Sequence, residues 1–565
     1  MKVAAAALAA VTLAVPTAIR ADATALGIGY ICGAEHPGPL GGNTKAVMLS
    51  GVGNGASPAD TANSQAQAWY DEGLNLYHAF NHNEAIAAFA KAAELDPNCA
   101  LCEWGVALSL GPTLNYGVTP AQTALALSHV EAAHRLVKPG DNRTAALIEA
   151  LQLRYGKETP DAKRTAAYSK AMDDLVRRFP SDDQIAELAV HALLIPARQD
   201  DYSGVPRSLE ILKTVLARRP DDTAAIHYYI HATEFAGHPA DALPYADKLA
   251  GLAPGASHLV HMAAHTLMHV GQYERVAIVD AEALKVDADV HARLAYPGPL
   301  SAQMYYLHNF TFGLAGALMA GDGKLAVKYA DHADIAFPAD DRSPLVVPPG
   351  IARVETPGNR RATADAKSMV AYGRFAPARA LALAEQPGEL RVVRIYRHYA
   401  RGEAFAARGE ADAVRAEAEA IEHLSSEAAK ANETSNVSLA MIASGVLSGR
   451  AALLDNQPAK AAEHFAEAAA RQEKAFPIAD NFDPPPWWYP VRRSVAAADL
   501  KAGRNADAAK EARASLAGWP DDALALRILS LAEGRMGKDK AARADLEKAR
   551  QIWRGDLAKV PLDLT

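Results

Sequence analysis

Apolar and small residues recur with helical spacing along most of the chain, in a pattern with a period of 34 residues. Residues 68–100 contain one complete unit, with Gly73 in the first helix, Phe89 in the second and Pro97 just beyond it. Glycine lets two helices approach closely, and large residues fill the groove between them. Proline follows the second helix because it cannot continue one. The pattern predicts paired helices over most of the chain.

This unit resembles the tetratricopeptide (TPR) repeat, whose helical pairs stack side by side and line a concave surface with their first helices. Further prolines follow later helical runs, and the distance from Pro220 to Pro254 is one period. The predicted fold class is therefore all-α, a TPR-type right-handed helical solenoid of about ten to twelve helical hairpins.

The predicted organisation has five parts. Residues 1–23 form a signal peptide and 24–64 an irregular N-terminal arm rich in Gly, Ser, Asn and Ala. An N-terminal TPR array with a histidine-rich site covers 65–336, and a second array covers 371–565. Residues 337–370 contain five prolines, which exclude helix interiors, and are predicted to break the solenoid.

The N-terminus predicts export to the periplasm or secretion. Lys2 precedes an apolar run, Ala4–Val15, which is too short to span a bilayer, and Ala21-Asp22-Ala23 fits a cleavage site. An uncleaved N-terminal anchor is the alternative. We expect no transmembrane segment in the mature chain.

Composition narrows the function classes. The net charge is −8, which lacks the basic footprint of a nucleic-acid binder, so no nucleic-acid partner is expected. Among the three cysteines, Cys99 and Cys102 are spaced for a local disulfide at a helix start in an oxidising compartment. A redox pair and a thiolate metal site remain alternatives, and Cys32 has no assigned role.

Histidines are concentrated in one part of the chain, with nine of the 19 between residues 227 and 308. His227 and His231 are spaced i, i+4, which places both imidazoles on one helix face. His261 and His265 repeat this spacing 34 residues later, on the equivalent helix of the next repeat. Packed helices lie about 8–10 Å apart, so one metal ion could join the four imidazoles.

Two more histidines extend this predicted site. An offset of 50 residues, one period plus an insert, relates His258 to His308 on the next helix along. Imidazole ligands suit copper, zinc or iron, and the sequence does not choose among them. Duplication of a purely structural repeat is the alternative explanation. His238 and His269 lie near turns and are expected to be solvated.

These segments resemble a family of exported bacterial TPR-repeat proteins, over roughly residues 47 to 530. The resemblance implies the architecture and the site residues, but no substrate or reaction. The matching segments are Tyr77–Ala85, Cys99–Gly105, Gly111-Pro112 with Asn115, His227–Glu234, His258–His265, Tyr306–Asn309 and Pro485–Arg492.

Other side chains are candidates for lining a ligand or partner site, although each also has an ordinary packing role as its alternative. His82, for example, occupies the position where a TPR turn usually has an aromatic residue. The candidate lining residues are His78, His82, Tyr228, Asn309, His398, Trp488, Tyr489 and Arg492.

Two interpretations of function follow. The first is an exported metalloprotein, with enzymatic activity on a small molecule left open and Glu234 as candidate general base, ligand or orienting acceptor. The second is a TPR scaffold that binds a peptide or partner protein in its concave groove without catalysis. The sequence specifies neither the substrate nor the oligomeric state.

Overall fold

The computed structural model of the protein describes residues 45–114, 117–156, 162–199, 201–296, 298–303, 305–338, 357–477 and 483–564. The predicted signal peptide, the first part of the predicted arm, Cys32 and Asn115 lie outside these residues. Within them there are 24 α-helices and no strand. Helices adjacent in sequence pack against each other throughout, which confirms the predicted all-α TPR solenoid.

The first twelve helices carry the N-terminal repeats. They are α1 Ser64–His78, α2 His82–Leu95, α3 Ala100–Ser109, α4 Pro120–Leu136, α5 Asn142–Arg154, α6 Ala162–Arg178, α7 Asp183–Leu194, α8 Val205–Arg218, α9 Thr223–Phe235, α10 Leu243–Leu252, α11 Ser257–His269 and α12 Tyr273–Leu294.

The remaining twelve continue the array to the C-terminal end. They are α13 Tyr306–Ala320, α14 Gly323–Ala336, α15 Pro357–Phe375, α16 Pro377–Leu381, α17 Arg391–Ala407, α18 Ala411–Lys430, α19 Thr434–Leu454, α20 Pro458–Ala475, α21 Arg492–Lys501, α22 Asn505–Gly518, α23 Ala523–Arg535 and α24 Asp539–Ile552.

The prolines that follow helices act together with aspartates two residues later in the chain. Pro180, Pro220 and Pro520 each come after a helix, and two residues later an aspartate caps the next helix. The Asp182 carboxylate, for example, accepts a hydrogen bond from the Ile185 amide at 3.0 Å. A side-chain acceptor at this position satisfies an amide that the helix leaves unpaired. Each Pro-x-Asp therefore ends one helix and starts the next.

The Pro-rich stretch 337–370 is only partly irregular within the described residues. Helix α15 occupies its second half from Pro357 onward, where the sequence predicted a break. Proline is well tolerated in the first turn of a helix, because the amide hydrogen it lacks would have no intrahelical acceptor there. The other four prolines precede residue 350.

One described helix is long and apolar enough to cross a membrane, by length and composition only. This helix is α19, and its apolar window of 18 residues is 67% buried inside the protein. It packs against α18 and α20 on either side. A helix buried by neighbours is apolar over most of its circumference, which explains the composition.

Long-range contacts close the solenoid onto itself. In the N-terminal part, the Gly255 amide donates to the Gly51 carbonyl at 2.7 Å, so the segment before α1 packs against the start of α11. In the C-terminal part, the Tyr273 hydroxyl donates to the Pro520 carbonyl at 2.8 Å, across 247 residues of sequence. The repeats around α9, α11 and α13 are therefore enclosed.

Glycine in α3 is required by the packing of the first repeat. A Cβ atom at Gly105 would lie within 3.0 Å of the Phe89 ring on α2, closer than real Cβ contacts. Gly105→Ala is expected to lower the free energy of unfolding by about 1–3 kcal/mol, since the ring cannot move within a packed core. Urea denaturation followed by circular dichroism measures this change.

Gly251 in α10 supplies the matched control, because no atom lies within 4 Å of the position of its Cβ. Gly251→Ala is expected to be neutral or to stabilise by up to about 1 kcal/mol, the difference in helix propensity. Equal effects at the two positions would contradict the packing argument.

Candidate metal centre

The first histidine triad joins α9 to α11. His227 and His231 lie on α9 and His258 on α11, and all three side chains are fully buried. One nitrogen from each comes within 4.8 Å of the other two. The Nε2 atoms of His227 and His258 are 3.1 Å apart.

The second triad joins α11 to α13. His261 and His265 lie on α11 and His308 on α13, again with their nitrogens within 4.8 Å of one another. The Nε2 atoms of His265 and His308 are 3.4 Å apart. Two nitrogens bound tetrahedrally at about 2.0–2.1 Å from one zinc ion are about 3.3–3.4 Å apart. Both triads thus have separations suited to a shared metal ion.

Oxygen atoms lie behind two of the imidazoles, one in each triad. His261 Nδ1 lies 2.6 Å from Asp280 Oδ1, and His227 Nδ1 lies 2.6 Å from the His78 carbonyl. Because the His78 carbonyl oxygen can only accept, His227 Nδ1 donates to it and the lone pair of His227 is on Nε2. The His261 Nε2 atom is buried and has no hydrogen-bond partner within the described part of the chain. This is the arrangement of metal-ligating histidines, whose second nitrogen donates to an outer acceptor.

Glu234 connects the two triads. Its Oε1 lies 3.0 Å from both His265 Nδ1 and His269 Nε2, and its Oε2 lies 3.9 Å from His231 Nδ1. Burial acts to raise the pKa of Glu234, but the two nearer imidazoles outweigh it and hold the pKa below its usual range. An ionised carboxylate between the triads therefore orients imidazoles and adds negative charge where cations would bind.

Burial also sets the protonation state of the imidazoles. Desolvation, reinforced by neighbouring histidines, lowers the pKa of His227, His258 and His261 well below the ordinary value. An imidazole binds metal only in its neutral form. These three side chains are thus neutral and ready to bind at neutral pH.

Each triad is covered by a phenylalanine. The Phe80 ring lies 4.5 Å from that of His227 and stacks on His258 at 5.2 Å. The Phe312 ring lies 4.9 Å from His261 and 4.7 Å from His265, measured between ring centroids. Phe80 has φ +60°, a left-handed conformation that is uncommon for a bulky residue and is held here by the surrounding packing.

The grouping of the histidines differs from the sequence prediction, in which the two H-x3-H pairs shared one site. In the structure, the third histidine of each triad comes from the first helix of the next helical pair. Helix α11 therefore contributes to both triads. His258 precedes His261 by three residues, about 60° short of a full turn, so it faces α9 while His261 faces α13. The six side chains are also buried rather than exposed on an open concave surface.

Four of the candidate lining residues lie close to the triads. The His78 Nδ1 atom is 2.9 Å from the Tyr228 hydroxyl, and the His82 ring stacks on Phe80. The Asn309 amide donates to Asp287 Oδ2 at 2.9 Å, next to His308 in sequence. His269, expected to be solvated, instead contacts Glu234, since the turn after α11 lies against α9.

The other four candidate lining residues lie in the C-terminal array, and each has a partner there. His398 contacts Glu417 at 2.6 Å, and the Trp488 indole donates to the Tyr399 hydroxyl at 3.2 Å. The Tyr489 hydroxyl contacts Ser494, and Arg492 forms ion pairs with Glu473 and Glu511. These contacts account for the four side chains as parts of their own repeats. Cys99 and Cys102 form a disulfide at the start of α3.

Sequence reasoning missed several residues that shape the centre. Asp280 is fully buried on α12 and holds His261, and His191 on α7 lies beside His227 across the Phe80 ring. Neither belongs to a spaced motif. A buried position for Asp280 could have been suspected only from the apolar residues around it on the same helix face.

Acid lability is expected from the neutral buried histidines. Burial lowers the pKa of His78 and of His82 to about 3, so the folded protein resists protons that the unfolded chain takes up below pH 6.5. Each such group removes about 1.4 kcal/mol of stability per pH unit between 6.5 and 3. Burial raises the pKa of Glu72 and Glu84 to about 7, which opposes this loss between pH 7 and 4.5. The steepest loss should therefore fall between pH 4.5 and 3.

Urea denaturation at stepped pH values measures this slope. His82→Phe should flatten the acid limb because phenylalanine takes up no proton, while alanine at the exposed His423 should leave the limb unchanged. Parallel limbs for wild type and His82→Phe would show that His82 is not a source of acid lability.

Comparisons with known proteins find only distant similarity to solved structures. No protein-family model and no curated protein matches the chain. The human IFIT1 dimer with PPP-AAAA has 12% identity, covering 87% of this chain and 92% of that chain at a TM-score of 0.28. The TPR domain of P58(IPK) has 13% identity, covering 86% and 98% at a TM-score of 0.22.

Fold and site together define a class of protein. The chain is an all-α TPR solenoid, and two adjacent, buried histidine triads between residues 227 and 308 could hold metal ions.

Proposed function

We propose that the protein is an exported TPR-type metalloprotein that holds a transition metal ion in each of its two histidine triads. The observation that carries the proposal is the convergence of six buried imidazoles in two groups, three of them with an oxygen atom within 3.0 Å of Nδ1. Buried polar atoms without partners are costly, and a metal ion would satisfy several at once.

The type of ligand atom restricts which metal ions could bind. Six imidazole nitrogens suit copper, zinc or iron, whereas calcium and magnesium prefer oxygen ligands. Three protein ligands leave a coordination position free for water or a substrate, as in catalytic zinc sites. We extend the proposal to metal-dependent chemistry on a small molecule. Glu234 then positions His265 and His231 rather than acting as a general base, because its oxygens face imidazoles.

Metal analysis of the protein purified from its native compartment tests this function. We expect two transition metal ions per chain by inductively coupled plasma mass spectrometry. Protein that carries no more metal than a buffer control, and takes none up after unfolding and refolding with copper, zinc or iron, would rule out the metalloprotein.

Export forms part of the same proposal. The disulfide between Cys99 and Cys102 supports it, because disulfides persist in oxidising compartments. Mass spectrometry of the native protein should find a chain beginning near Thr24 with both thiols oxidised. An intact Met1 with two free thiols would oppose export.

A second candidate function is the binding of a peptide or partner protein. A groove of about 1070 Å³ lies between α18, α19 and α20, lined by residues such as Ser438, Met441 and His464. The groove is far in sequence from the triads, so this function is compatible with metal binding. Pull-down with the protein in its metal-free form would separate the two.

A further inference from the structure

A carboxyl group from the C-terminal array reaches the second triad. Asp483 Oδ2 lies 3.5 Å from His308 Nδ1, although the two residues are far apart in the chain. The other oxygen of this group, Oδ1, is buried and has no hydrogen-bond partner among the described residues. The Asp483 side chain is 23% exposed, so this contact lies where the second triad comes closest to solvent.

The segment that carries Asp483 is held in place by α17. Three prolines follow it directly, and each proline ring fixes its own φ angle. The Tyr396 hydroxyl on α17 donates to the carbonyl of the last of these prolines, and the Trp488 indole donates to the Tyr399 hydroxyl on the same helix. A carboxyl group on so restricted a segment loses little freedom when it contacts His308.

With Asp483, every histidine of the second triad has a carboxyl group within 3.5 Å of Nδ1. The other two contacts are those of His261 with Asp280 at 2.6 Å and of His265 with Glu234 at 3.0 Å. Carboxylates in such positions orient metal-ligating imidazoles and make them stronger ligands. Burial raises the pKa of Asp280, but a cation held by the triad acts in the opposite direction.

The first triad has no such set of carboxyl groups among the described residues. His227 Nδ1 faces the backbone carbonyl of His78, and His258 Nδ1 is buried without a hydrogen-bond partner there. His231 Nδ1 lies 3.9 Å from Glu234 Oε2, farther than the second triad lies from the same carboxylate. Negative charge is therefore concentrated around the second triad, where it attracts a cation more strongly.

We propose that Asp483 completes the second triad and makes it the tighter of the two metal sites. This inference rests on the proposed metal binding and adds an order to it. A divalent ion such as zinc fills the second triad first and the first triad only at a higher free concentration. Loss of one outer acceptor typically costs 10–100-fold in metal affinity, so the two affinities should differ by at least about tenfold. Asp483 is a positioning residue, because it contacts His308 and not the ion.

Refolding at buffered zinc concentrations tests this order. The full chain is unfolded, freed of metal with chelator and refolded at stepped free zinc concentrations set by a metal buffer. Inductively coupled plasma mass spectrometry then gives the zinc bound per chain. We expect two separate steps of one ion each. His308→Ala should remove the step at the lower concentration, and His258→Ala should remove the other.

Asp483→Asn assigns the difference to the carboxylate. In a His258→Ala background only the second triad remains, and the added change should move its step to a free zinc concentration about 10–100-fold higher. In a His308→Ala background, which retains only the first triad, it should move nothing. A purely structural role would instead lower the melting temperature of the metal-free protein and leave the affinity of the second triad unchanged.

Glu103→Gln is the matched control. Glu103 also faces a histidine outside the triads, His129, at 2.6 Å, and its side chain is 25% exposed, close to the value for Asp483. The substitution removes the same charge and should move neither zinc step.

Two results would overturn this inference alone. One is the uptake of two zinc ions in a single step, and the other is a second-triad step that Asp483→Asn leaves in place. In both cases the triads still bind metal and the proposed function stands. A chain that takes up no zinc would also overturn the inference, whereas the proposed function fails only if copper and iron are refused as well.

Discussion

His261→Ala is expected to remove the metal ion of the second triad and the thermal stability which that ion confers. His261 supplies one of the three candidate ligands found among the described residues, where its Nε2 atom has no hydrogen-bond partner. Binding restricted to the folded state stabilises it by about 2.7 kcal/mol at a hundredfold excess of metal over Kd. Wild type should therefore melt higher with metal than without it, and the variant should lose the part of that difference due to the second triad.

The comparison uses protein unfolded and refolded with chelator, then melted with and without added metal. His238→Ala is the control, since His238 is exposed in the turn after α9. It should leave both the metal content and the melting temperature unchanged. The helical circular dichroism signal of His261→Ala should persist, because the array is packed by residues elsewhere. If added metal leaves wild type unmoved and both variants melt alike, the triads are only buried polar packing.

Glu234→Gln is expected to weaken metal binding at both triads while leaving every ligand in place. The amide is nearly the same size as the carboxylate but is uncharged, so it no longer offers a full negative charge to His265 and His231. Loss of an outer acceptor typically costs 10–100-fold in metal affinity. Competition with a chelating indicator of known affinity measures the change.

Glu417→Gln is the matched control, because Glu417 also accepts a hydrogen bond from a histidine, His398, but lies in the C-terminal array. Its metal affinity should equal that of wild type. A Glu234→Gln protein that binds both ions as tightly as wild type would exclude the bridging role of this carboxylate.

The sequence predicted the parts of the fold that depend on local spacing. An all-α solenoid could be predicted from features that act within one repeat: the 34-residue period, the prolines and the small residues at helix contacts. The i, i+4 spacing of His227 and His231 likewise placed two imidazoles on one face without knowledge of any other helix. The contacts between neighbouring repeats follow from the same spacing, because each repeat packs against the next in the same way.

What the sequence could not predict depends on contacts between distant segments. The division into two triads depends on the packing of both α9 and α13 against α11, which no single repeat determines. The burial of the site depends on Phe80 and on the closing contacts of Gly51 and Tyr273.

The deep burial of the triads has a consequence for how fast metal exchanges. Five of the six histidines have no exposed surface and His308 is 6% exposed, so an ion enters or leaves mainly when neighbouring helices open. Opening of core helices approaches global unfolding in free energy, and unfolding of small domains takes from under a second to days. The metal bound in the triads would then depend on which metal was present when the chain folded, and not on equilibrium with the present surroundings. A chain that folds where one metal is abundant keeps it, and the metal it carries records the compartment in which it folded.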